Sequence, residues 1–311
     1  MANIKELSHN KEGLVGGHRL CAGCGASVAV RQIMLAAGDT QVVTGCATGC
    51  LEVSTTIYPY TSWSGSFIHN AFENSAATVS GVEAAFKGLQ RAGKIPADKD
   101  VKFVAFGGDG GTYDIGLQSL SGAMERGHDM VYVCYDNGAY MNTGIQRSSA
   151  TPFGAWATTA EVGAAQQGKT QRRKDLTSIM ADHHIPYAAQ ASISHWKDLT
   201  TKAEKAFAVK GPAFINVLAP CPRGWRTPSS RSIEIAKLGV QTGFWPLFEV
   251  EDGHWRQTVK VANRKPVEEF LKPQGRFKHL FASENAELLA AVQAEVDRYW
   301  DYIQKRVGCE A

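Results

Sequence analysis

Residues 101–116, VKFVAFGGDGGTYDIG, and residues 130–140, MVYVCYDNGAY, decide the fold of this chain. Each starts with a short apolar run, typical of a buried strand, and each run ends in a turn rich in Gly, Asp or Asn. A helix-compatible stretch, residues 115–126, lies between the two runs. This β-α-β pattern predicts two parallel strands whose carboxyl ends meet at one edge of a sheet. We expect Asp109 and Asn137, which follow the two strands, to face one crevice.

The turns after the two strands carry oxygen ligands and free backbone N–H groups. A Gly-rich turn can bring its N–H groups to phosphate oxygens, while a carboxylate in the same turn binds a hard cation. Asp109, the Asn137 side chain and the main-chain carbonyl of Ala139 would supply three oxygen ligands to Mg²⁺. The alternative is that both turns are ordinary, since Gly, Asp and Asn are common in loops. Their placement one crossover apart favours a diphosphate site.

Segments on both sides extend the α/β pattern. Helices are predicted at about 26–37, 72–92, 175–183, 196–209 and from 285 onward, strands at 41–44, 187–191 and 212–218, and loops at 54–70 and 143–175, the latter with short helices. This alternation predicts an α/β fold with a doubly wound, mostly parallel sheet. The character of the sequence changes after Ser230. We therefore expect a cofactor-binding domain over 1–230 and a C-terminal extension over 231–311 that contacts other subunits.

Composition and charge exclude several classes of protein. The 311 residues are 44% hydrophobic and 20% charged, which is ordinary for a globular protein and not for a disordered one. With 33 basic and 30 acidic side chains, the net charge of +3 gives no electrostatic argument for a nucleic acid partner. No apolar run of the sequence approaches the roughly 18 residues of a membrane helix. The first residues, MANIKELSHNKEG, lack a hydrophobic signal region, so we expect a cytoplasmic protein without a membrane partner.

Seven cysteines, an odd number without an export signal, favour reduced thiols over a disulfide framework. Cys21 and Cys24 form a C-x-x-C pair, and Cys50 and Cys221 each lie just beyond a predicted strand. Four loop thiolates could enclose Zn²⁺ or an iron–sulfur cluster, and one pair with two distant single cysteines favours the cluster. A thioredoxin-type redox pair is a third interpretation, although no strand precedes Cys21.

Six segments of the chain together resemble a known family. They are HRLCAGCG (18–25), ATGCLEV (47–53), YPYTSW (58–63), FGGDGGTYDIG (106–116), YDNGAYMNTGIQRS (135–148) and APCPRGW (219–225). In these segments, and in its tail at KPVEEFLKPQGRFKHL (265–280), the chain is similar to the β subunits of 2-oxoacid:ferredoxin oxidoreductases. Among these it resembles the pyruvate:ferredoxin oxidoreductases most. The likeness extends over nearly the whole chain, so it is far more specific than a single motif.

The resemblance implies thiamine diphosphate with Mg²⁺, and a 4Fe-4S cluster beside it. The cluster ligands would be Cys21, Cys24, Cys50 and Cys221, and the ligands of Mg²⁺ would be Asp109, Asn137 and the carbonyl of Ala139. The thiamine diphosphate contacts would be Ala26, Cys50, Asp109, Gly110, Gly111, Thr112, Asn137, Gly138, Ala139, Tyr140, Met141 and Asn142. Asn142 would be the catalytic residue, near the reacting carbon. Two features depart from the family pattern, since some relatives have Glu in place of Ala26, and Cys46 is an additional thiol near Cys50.

The activity implied is the oxidative decarboxylation of a 2-oxoacid, with pyruvate, coenzyme A and ferredoxin as the favoured substrates. An α subunit would complete the thiamine site with its activating Glu, and γ and δ subunits would complete the enzyme. The alternatives are the same chemistry on oxalate or another 2-oxoacid, a non-redox thiamine-dependent lyase, and a zinc-stapled scaffold subunit without catalysis.

For several other conspicuous residues the sequence predicts a structural or surface role and no chemical one. Cys134 falls in a core strand, Cys309 lies near the chain end, and Cys46 is interpreted as an apolar filler. The basic run KTQRRK at 169–174 could contact coenzyme A phosphates, ferredoxin or another subunit, but a solvated face is the favoured prediction.

Overall fold

The two strands that decide the fold lie side by side at the centre of a mixed sheet. The structure is a computed structural model that describes residues 3–308. Within this range the strands are β1 (Gln41–Ala47), β2 (Ser66–Asn70), β3 (Val101–Gly108), β4 (Val131–Asp136), β5 (Tyr187–Ser192), β6 (Ala213–Leu218), β7 (Phe248–Glu251) and β8 (His254–Gln257). Their order across the sheet is β2-β1-β3-β4-β6-β5-β7-β8. The strands β1 to β6 pair in parallel, which confirms the predicted mostly parallel sheet.

Helices connect the strands and cover both faces of the sheet. The α-helices of the described range are α1 (Ile4–Leu7), α2 (Gly25–Ala36), α3 (Cys50–Thr55), α4 (Ser75–Arg91), α5 (Leu117–Glu125), α6 (Leu176–Ala181), α7 (Trp196–Ala208), α8 (Pro222–Trp225), α9 (Ser232–Gln241), α10 (Glu268–Leu271) and α11 (Ala286–Gly308). A π-helical turn spans Gly110–Ile115, and 3₁₀ helices span Ser229–Arg231, Gly275–Phe281 and Ser283–Asn285. None of the helices within residues 3–308 is long and apolar enough to cross a membrane.

The core is divided by the sheet into two hydrophobic clusters. Along β3, Val104 and Phe106 join the cluster that also contains α2 and α7, whereas Phe103 and Ala105 join the cluster that contains α4 and α5. Alternate residues of a strand point to opposite faces, so a strand that is apolar at every position is buried on both sides. The doubly wound architecture predicted from the sequence is therefore confirmed.

The region after residue 230 is built into the same sheet and core. β7 pairs antiparallel with β5, and β8 pairs antiparallel with β7, so a hairpin ends the sheet on this side. From α11, Val292 and Val296 pack in one cluster of the core and Ile303 packs in the other. The role of residues 231–311 in subunit contacts stays a prediction. Cys309 lies outside the described residues.

Three local predictions need correction. The loop predicted at 54–70 contains β2, a strand of five residues in which only Phe67 and Ile68 are apolar, so no apolar run reveals it. The helix predicted at 115–126 is preceded by the π-helical turn, which begins directly after Asp109. Short helices predicted within 143–175 are wrong, because this described stretch consists of turns and isolated bridges such as Tyr140↔Gln146.

Candidate active site

The predicted crevice lies where the strand order of the sheet reverses. The chain passes from β1 to β2 on one side and then to β3 on the other side of β1. Connections that leave in opposite directions open a crevice at the carboxyl ends of such strands. A cavity lies there, lined by Thr48, Gly49, Cys50, Phe72, Gly108, Gly110, Gly111, Tyr135, Asn137, Ala139, Tyr140, Met141, Asn142 and Thr143. The turns after β1, β3 and β4 thus meet in one pocket.

Asp109 lies between two residues that line this pocket, Gly108 and Gly110, and is fully buried. Its Oδ1 accepts a hydrogen bond from the backbone N–H of Asn137 at 3.2 Å, and its Oδ2 accepts one from the Ser148 hydroxyl at 2.5 Å. Burial and the nearby charge of Asp136 raise the pKa of Asp109 above its usual range. A cation beside this carboxylate would oppose both effects, so the position favours a bound metal ion.

The oxygen ligands predicted for Mg²⁺ converge. The end of the Asn137 amide that faces Asp109 lies 3.0 Å from Asp109 Oδ1 and 2.9 Å from the carbonyl oxygen of Ala139. With its nitrogen on this side, the amide donates to both oxygens; with its oxygen there, three acceptors face one another. Neighbouring ligands of an octahedral Mg²⁺ at about 2.1 Å stand about 3.0 Å apart. The spacing of these groups therefore fits the ion.

The glycines after Asp109 keep the backbone accessible. A Cβ built on Gly110 would lie 2.3 Å from the Tyr140 ring, and one on Gly111 would lie 3.0 Å from the Phe72 carbonyl oxygen. Gly138, in the turn after β4, has a φ of +74°, which favours glycine. These positions give the pocket a wall of main-chain atoms, as close approach to a phosphate requires.

Besides Asp109, three predicted cofactor contacts lie outside the pocket lining. Thr112 is buried and its hydroxyl donates to the Gly108 carbonyl at 2.7 Å, so its side chain turns back toward the sheet. Gly138 faces Arg276 and Pro152. Ala26 is buried in α2 as part of the core. Their contact with a cofactor stays a prediction.

A second layer of side chains fixes the turn after β4, and the sequence did not reveal it. Asp136 accepts a hydrogen bond from the Gly138 N–H at 3.0 Å, and its other oxygen pairs with Arg173 at 2.5 Å. The Arg173 guanidinium lies 4.4 Å from the Trp245 ring centre. These contacts hold Asp136 away from the pocket and leave Asp109 as the carboxylate nearest to the predicted metal.

The prediction of a solvated face for residues 169–174 is wrong at Lys169 and Arg173. Lys169 is 2% exposed, and its ammonium donates to the carbonyls of Ser148 at 3.2 Å, Ser149 at 3.1 Å and Thr151 at 2.6 Å. The run folds inward because the main-chain carbonyls of the loop at residues 148–151 accept hydrogen bonds from the Lys169 ammonium. That loop also carries the Ser148 hydroxyl, so Lys169 supports the residue that holds Asp109.

Replacing Lys169 with Met is expected to lower the free energy of unfolding by about 3 kcal/mol, because three buried carbonyls lose their charged donor. Urea denaturation followed by circular dichroism measures this change. Arg172→Met is the matched control in the same run, since the Arg172 side chain is 63% exposed and its ion pair with Glu295 is worth less than about 1 kcal/mol. Equal losses in the two variants would contradict the structural role of Lys169.

The four predicted cluster cysteines lie in loops that the fold brings together. Cys24 precedes α2, Cys50 begins α3, and Cys221 precedes α8 and accepts a hydrogen bond from the Gly224 N–H at 3.3 Å. Burial, together with the charges of Cys221, Cys24 and Cys21, raises the pKa of the Cys50 thiol to about 12. The four sulfurs therefore share one electrostatic environment.

Close backbone contact joins two of these loops. The Gly25 N–H donates to the Pro220 carbonyl at 2.9 Å. A Cβ on Gly25 would lie 2.6 Å from the carbonyl carbon of Ala219, so a side chain at this position would push the loops apart. Glycine at position 25 thus sets the separation of Cys24 from Cys221.

The four thiols form no site for a single metal ion in the described part of the chain, and their role as cluster ligands stays a prediction. Each thiolate of a 4Fe-4S cluster binds a different iron, so the sulfurs need not converge on one point. Within residues 3–308, no group of three or more His, Cys, Asp or Glu side chains is placed to hold a single metal ion. Cys21 is exposed, whereas Cys24, Cys50 and Cys221 are half-buried.

Cys46 is set apart from the four thiols. It is fully buried in β1 within the hydrophobic core, and its thiol lies 3.5 Å from the Ala47 carbonyl oxygen. The charges that raise the pKa of the Cys50 thiol most come from Cys221, Cys24 and Cys21. This position agrees with Cys46 as an apolar filler.

Cys50 belongs both to the lining of the cavity and to the predicted cluster ligands. It lines the pocket, and its Sγ lies 3.8 Å from Oδ1 of Asn142, the predicted catalytic residue. Asn142 itself is exposed, on the open side of the cavity. The structure therefore brings together Asp109, Asn137, Ala139, Asn142 and Cys50, as the sequence predicted.

A family model described as "Thiamine pyrophosphate enzyme, C-terminal TPP binding domain" matches residues 43–217. The match runs from β1 to β6 and includes the Asp109 and Asn137 turns. The class of the protein follows from this: it is a thiamine pyrophosphate-dependent enzyme chain.

Relatives that match nearly end to end give the family. The pyruvate synthase subunit PorB of Thermotoga maritima is 55% identical over 306 residues, covering 96% of this chain and 94% of that protein. The ketoisovalerate oxidoreductase subunit VorB of Pyrococcus furiosus is 44% identical over 299 residues, covering 95% and 93%. The chain belongs to the β-subunit family of 2-oxoacid:ferredoxin oxidoreductases, as the sequence segments indicated.

A solved structure agrees with the fold. The 2-oxoglutarate:ferredoxin oxidoreductase from Magnetococcus marinus with 2-oxoglutarate, coenzyme A and succinyl-CoA bound superposes with a TM-score of 0.56. It is 21% identical and covers 76% of this chain and 81% of that one. At this identity the likeness supports the architecture alone.

Proposed function

We propose that the chain is the β subunit of a pyruvate:ferredoxin oxidoreductase. In this reaction pyruvate and coenzyme A give acetyl-CoA, CO₂ and a proton, and two electrons pass singly through a 4Fe-4S cluster to two ferredoxins. The observation that carries the proposal is the 3.8 Å contact between Cys50 and Asn142, which makes the predicted cluster ligand part of the pocket wall. Electrons released in the pocket then have a short path to the cluster.

The residues of the pocket have distinct roles in this proposal. Asp109, Asn137 and the Ala139 carbonyl hold Mg²⁺, and the backbone after Asp109 receives the diphosphate. Thiamine diphosphate supplies the electron sink for decarboxylation when it is bound. Asn142 lies at the open side of the cavity, where its amide can orient the substrate beside Cys50.

The four cysteines hold the cluster. Cys50, after β1, and Cys221, after β6, would be two of its ligands. Cys24 and the exposed Cys21 would be the other two. Thiolate ligation and burial can give such clusters strongly negative potentials, which a low-potential ferredoxin requires of its donor. A cluster held there would be nearest to solvent at the exposed Cys21, where an acceptor such as ferredoxin could approach it.

Partner subunits complete the enzyme. The pocket is open and the chain supplies no carboxylate above it for the aminopyrimidine of thiamine, among the pocket-lining residues of the described range. We expect an α subunit to provide that group, with γ and δ subunits in a cytoplasmic complex. The chain purified without the α subunit is accordingly expected to be inactive.

The substrate is tested by anaerobic reduction of a viologen dye with the purified complex and coenzyme A. Pyruvate is expected to give a kcat/KM at least about tenfold above 2-oxoisovalerate, 2-oxoglutarate and oxalate, a difference of about 1.4 kcal/mol in transition-state binding. Preference for 2-oxoisovalerate would instead assign the chain to a ketoisovalerate oxidoreductase, the enzyme to which a 44% identical relative belongs. Decarboxylation without dye reduction, in a preparation free of iron and sulfide, would favour the lyase.

A further inference from the structure

Arg276 is a buried cation that the proposed roles do not use. It is 2% exposed, and its Nε donates to the Gln274 side chain at 2.9 Å. Its guanidinium carbon lies 4.1 Å from the Trp225 ring centre and 5.0 Å from that of Phe277. Its Nη1 is buried without a hydrogen-bond partner in the described part of the chain. An arginine in this state is costly unless a negative charge lies nearby.

The carboxylates of the chain do not provide that charge. Among the ion pairs of residues 3–308, Arg276 has none, and Asp136 is already paired with Arg173. Burial lowers the pKa of Arg276 to about 9, and the charges that oppose this effect belong to Asp136, Cys221 and Asp109. Of these three groups, only Cys221 has no cation assigned to it, since Asp136 pairs with Arg173 and Asp109 is the predicted ligand of Mg²⁺.

Arg276 also lies between the two predicted cofactor sites. A Cβ on Gly138, in the turn that follows Asn137, would lie 2.8 Å from Arg276 Nη1. The Trp225 ring beneath the guanidinium donates its indole N–H to the Asn137 carbonyl at 2.6 Å. Trp225 ends the short helix that begins after Cys221, and its backbone N–H donates to the Cys221 carbonyl at 2.8 Å. Arg276 and Trp225 thus connect the metal turn to the cluster loop.

We propose that Arg276 is the fixed countercharge of the iron–sulfur cluster, and that it raises the reduction potential of the cluster by stabilising the added electron. The inference rests on the proposed function, because it requires the cluster at Cys221. A cluster with four thiolates carries a net negative charge that increases by one on reduction. A buried positive charge therefore stabilises the reduced form more than the oxidised form, and the interaction is little screened by solvent.

The test is a redox titration of the cluster in the assembled anaerobic complex, followed by electron paramagnetic resonance. Arg276→Gln is expected to lower the ratio of reduced to oxidised cluster at a fixed potential about tenfold, equivalent to a shift of about −59 mV for one electron. Arg276→Lys, which keeps the charge, is expected to change the ratio less than about threefold. Arg276→Met keeps the apolar stem over Trp225 and replaces the Gln variant if that variant does not fold.

Arg226→Gln is the matched control, because Arg226 follows the same short helix and stacks on Trp156, but is exposed to solvent. Its removal is expected to leave the midpoint potential unchanged. A normal cluster signal with an unshifted midpoint in Arg276→Gln or Arg276→Met would overturn this inference alone. Absence of any cluster signal in the wild-type complex would overturn the proposed cluster site and this inference together.

Discussion

Asp109→Asn is expected to weaken the magnesium-dependent binding of thiamine diphosphate about 10³-fold and to reduce 2-oxoacid-dependent dye reduction to background. The substitution keeps the size of the side chain and an oxygen that can accept from the Asn137 N–H, but it removes the charge that faces the metal. A metal bridge to a phosphate contributes roughly 4 kcal/mol, and each 1.4 kcal/mol is a factor of ten. Isothermal titration calorimetry with thiamine diphosphate at saturating Mg²⁺ measures the affinity.

Asp114→Asn is the control for this experiment. Asp114 lies in the π-helical turn that follows Asp109, but its carboxylate accepts a hydrogen bond from the Ser149 N–H at 2.9 Å and does not face the predicted metal ligands Asn137 and Ala139. We expect its replacement to change the affinity for the cofactor less than about tenfold, the range of one neutral hydrogen bond. Wild-type affinity and an unaltered dependence on Mg²⁺ in Asp109→Asn would show that the metal is held elsewhere.

Cys50→Ala is expected to remove the iron–sulfur cluster, so that iron and acid-labile sulfide fall to background and the brown colour is lost. A cubane that loses one of its thiolate ligands is exposed to solvent and degrades. Metal and sulfide analysis of anaerobically purified protein measures the loss, and circular dichroism confirms that the fold remains. Activity is expected to fall as well, because the variant loses the electron acceptor and because Cys50 forms part of the pocket wall.

Cys46→Ala is the matched control, four residues earlier in the chain. Cys46 is fully buried in the core, so its truncation leaves a small cavity and costs about 1 kcal/mol of stability, without an effect on iron content. The pair of variants also tests whether Cys50, and not the nearby additional thiol Cys46, is a cluster ligand. Loss of the cluster from Cys46→Ala with retention in Cys50→Ala would assign the ligand to Cys46.

The centre of the fold could be predicted because its signals are local. The apolar runs at 101–106 and 130–135 are contiguous, and each ends in a turn whose residue types suit only a few conformations. Parallel pairing then places Asp109 and Asn137 at the same edge without further information. The hairpin of β7 and β8 had no comparable signal, since each strand has only four residues.

The support of the site could not be predicted, because its partners are distant in sequence. Ser148 is 39 residues from Asp109, and Arg173 is 37 residues from Asp136. Both contacts depend on how the loop 143–175 folds, and that loop has no periodic pattern. A basic run such as 169–174 is usually solvated, and only the carbonyls of the loop reveal why Lys169 is buried.

The position of Cys50 has a consequence for how the enzyme fails. One residue forms part of the wall of the thiamine pocket and part of the predicted cluster shell. In the proposed enzyme, an oxidant that enters by the route of the substrate would meet a ligand sulfur in the pocket wall, and oxidation of that sulfur would also change the shape of the thiamine pocket. A single oxidised residue, Cys50, would then stop both electron transfer and decarboxylation, and the cluster would have to be rebuilt before either activity returned.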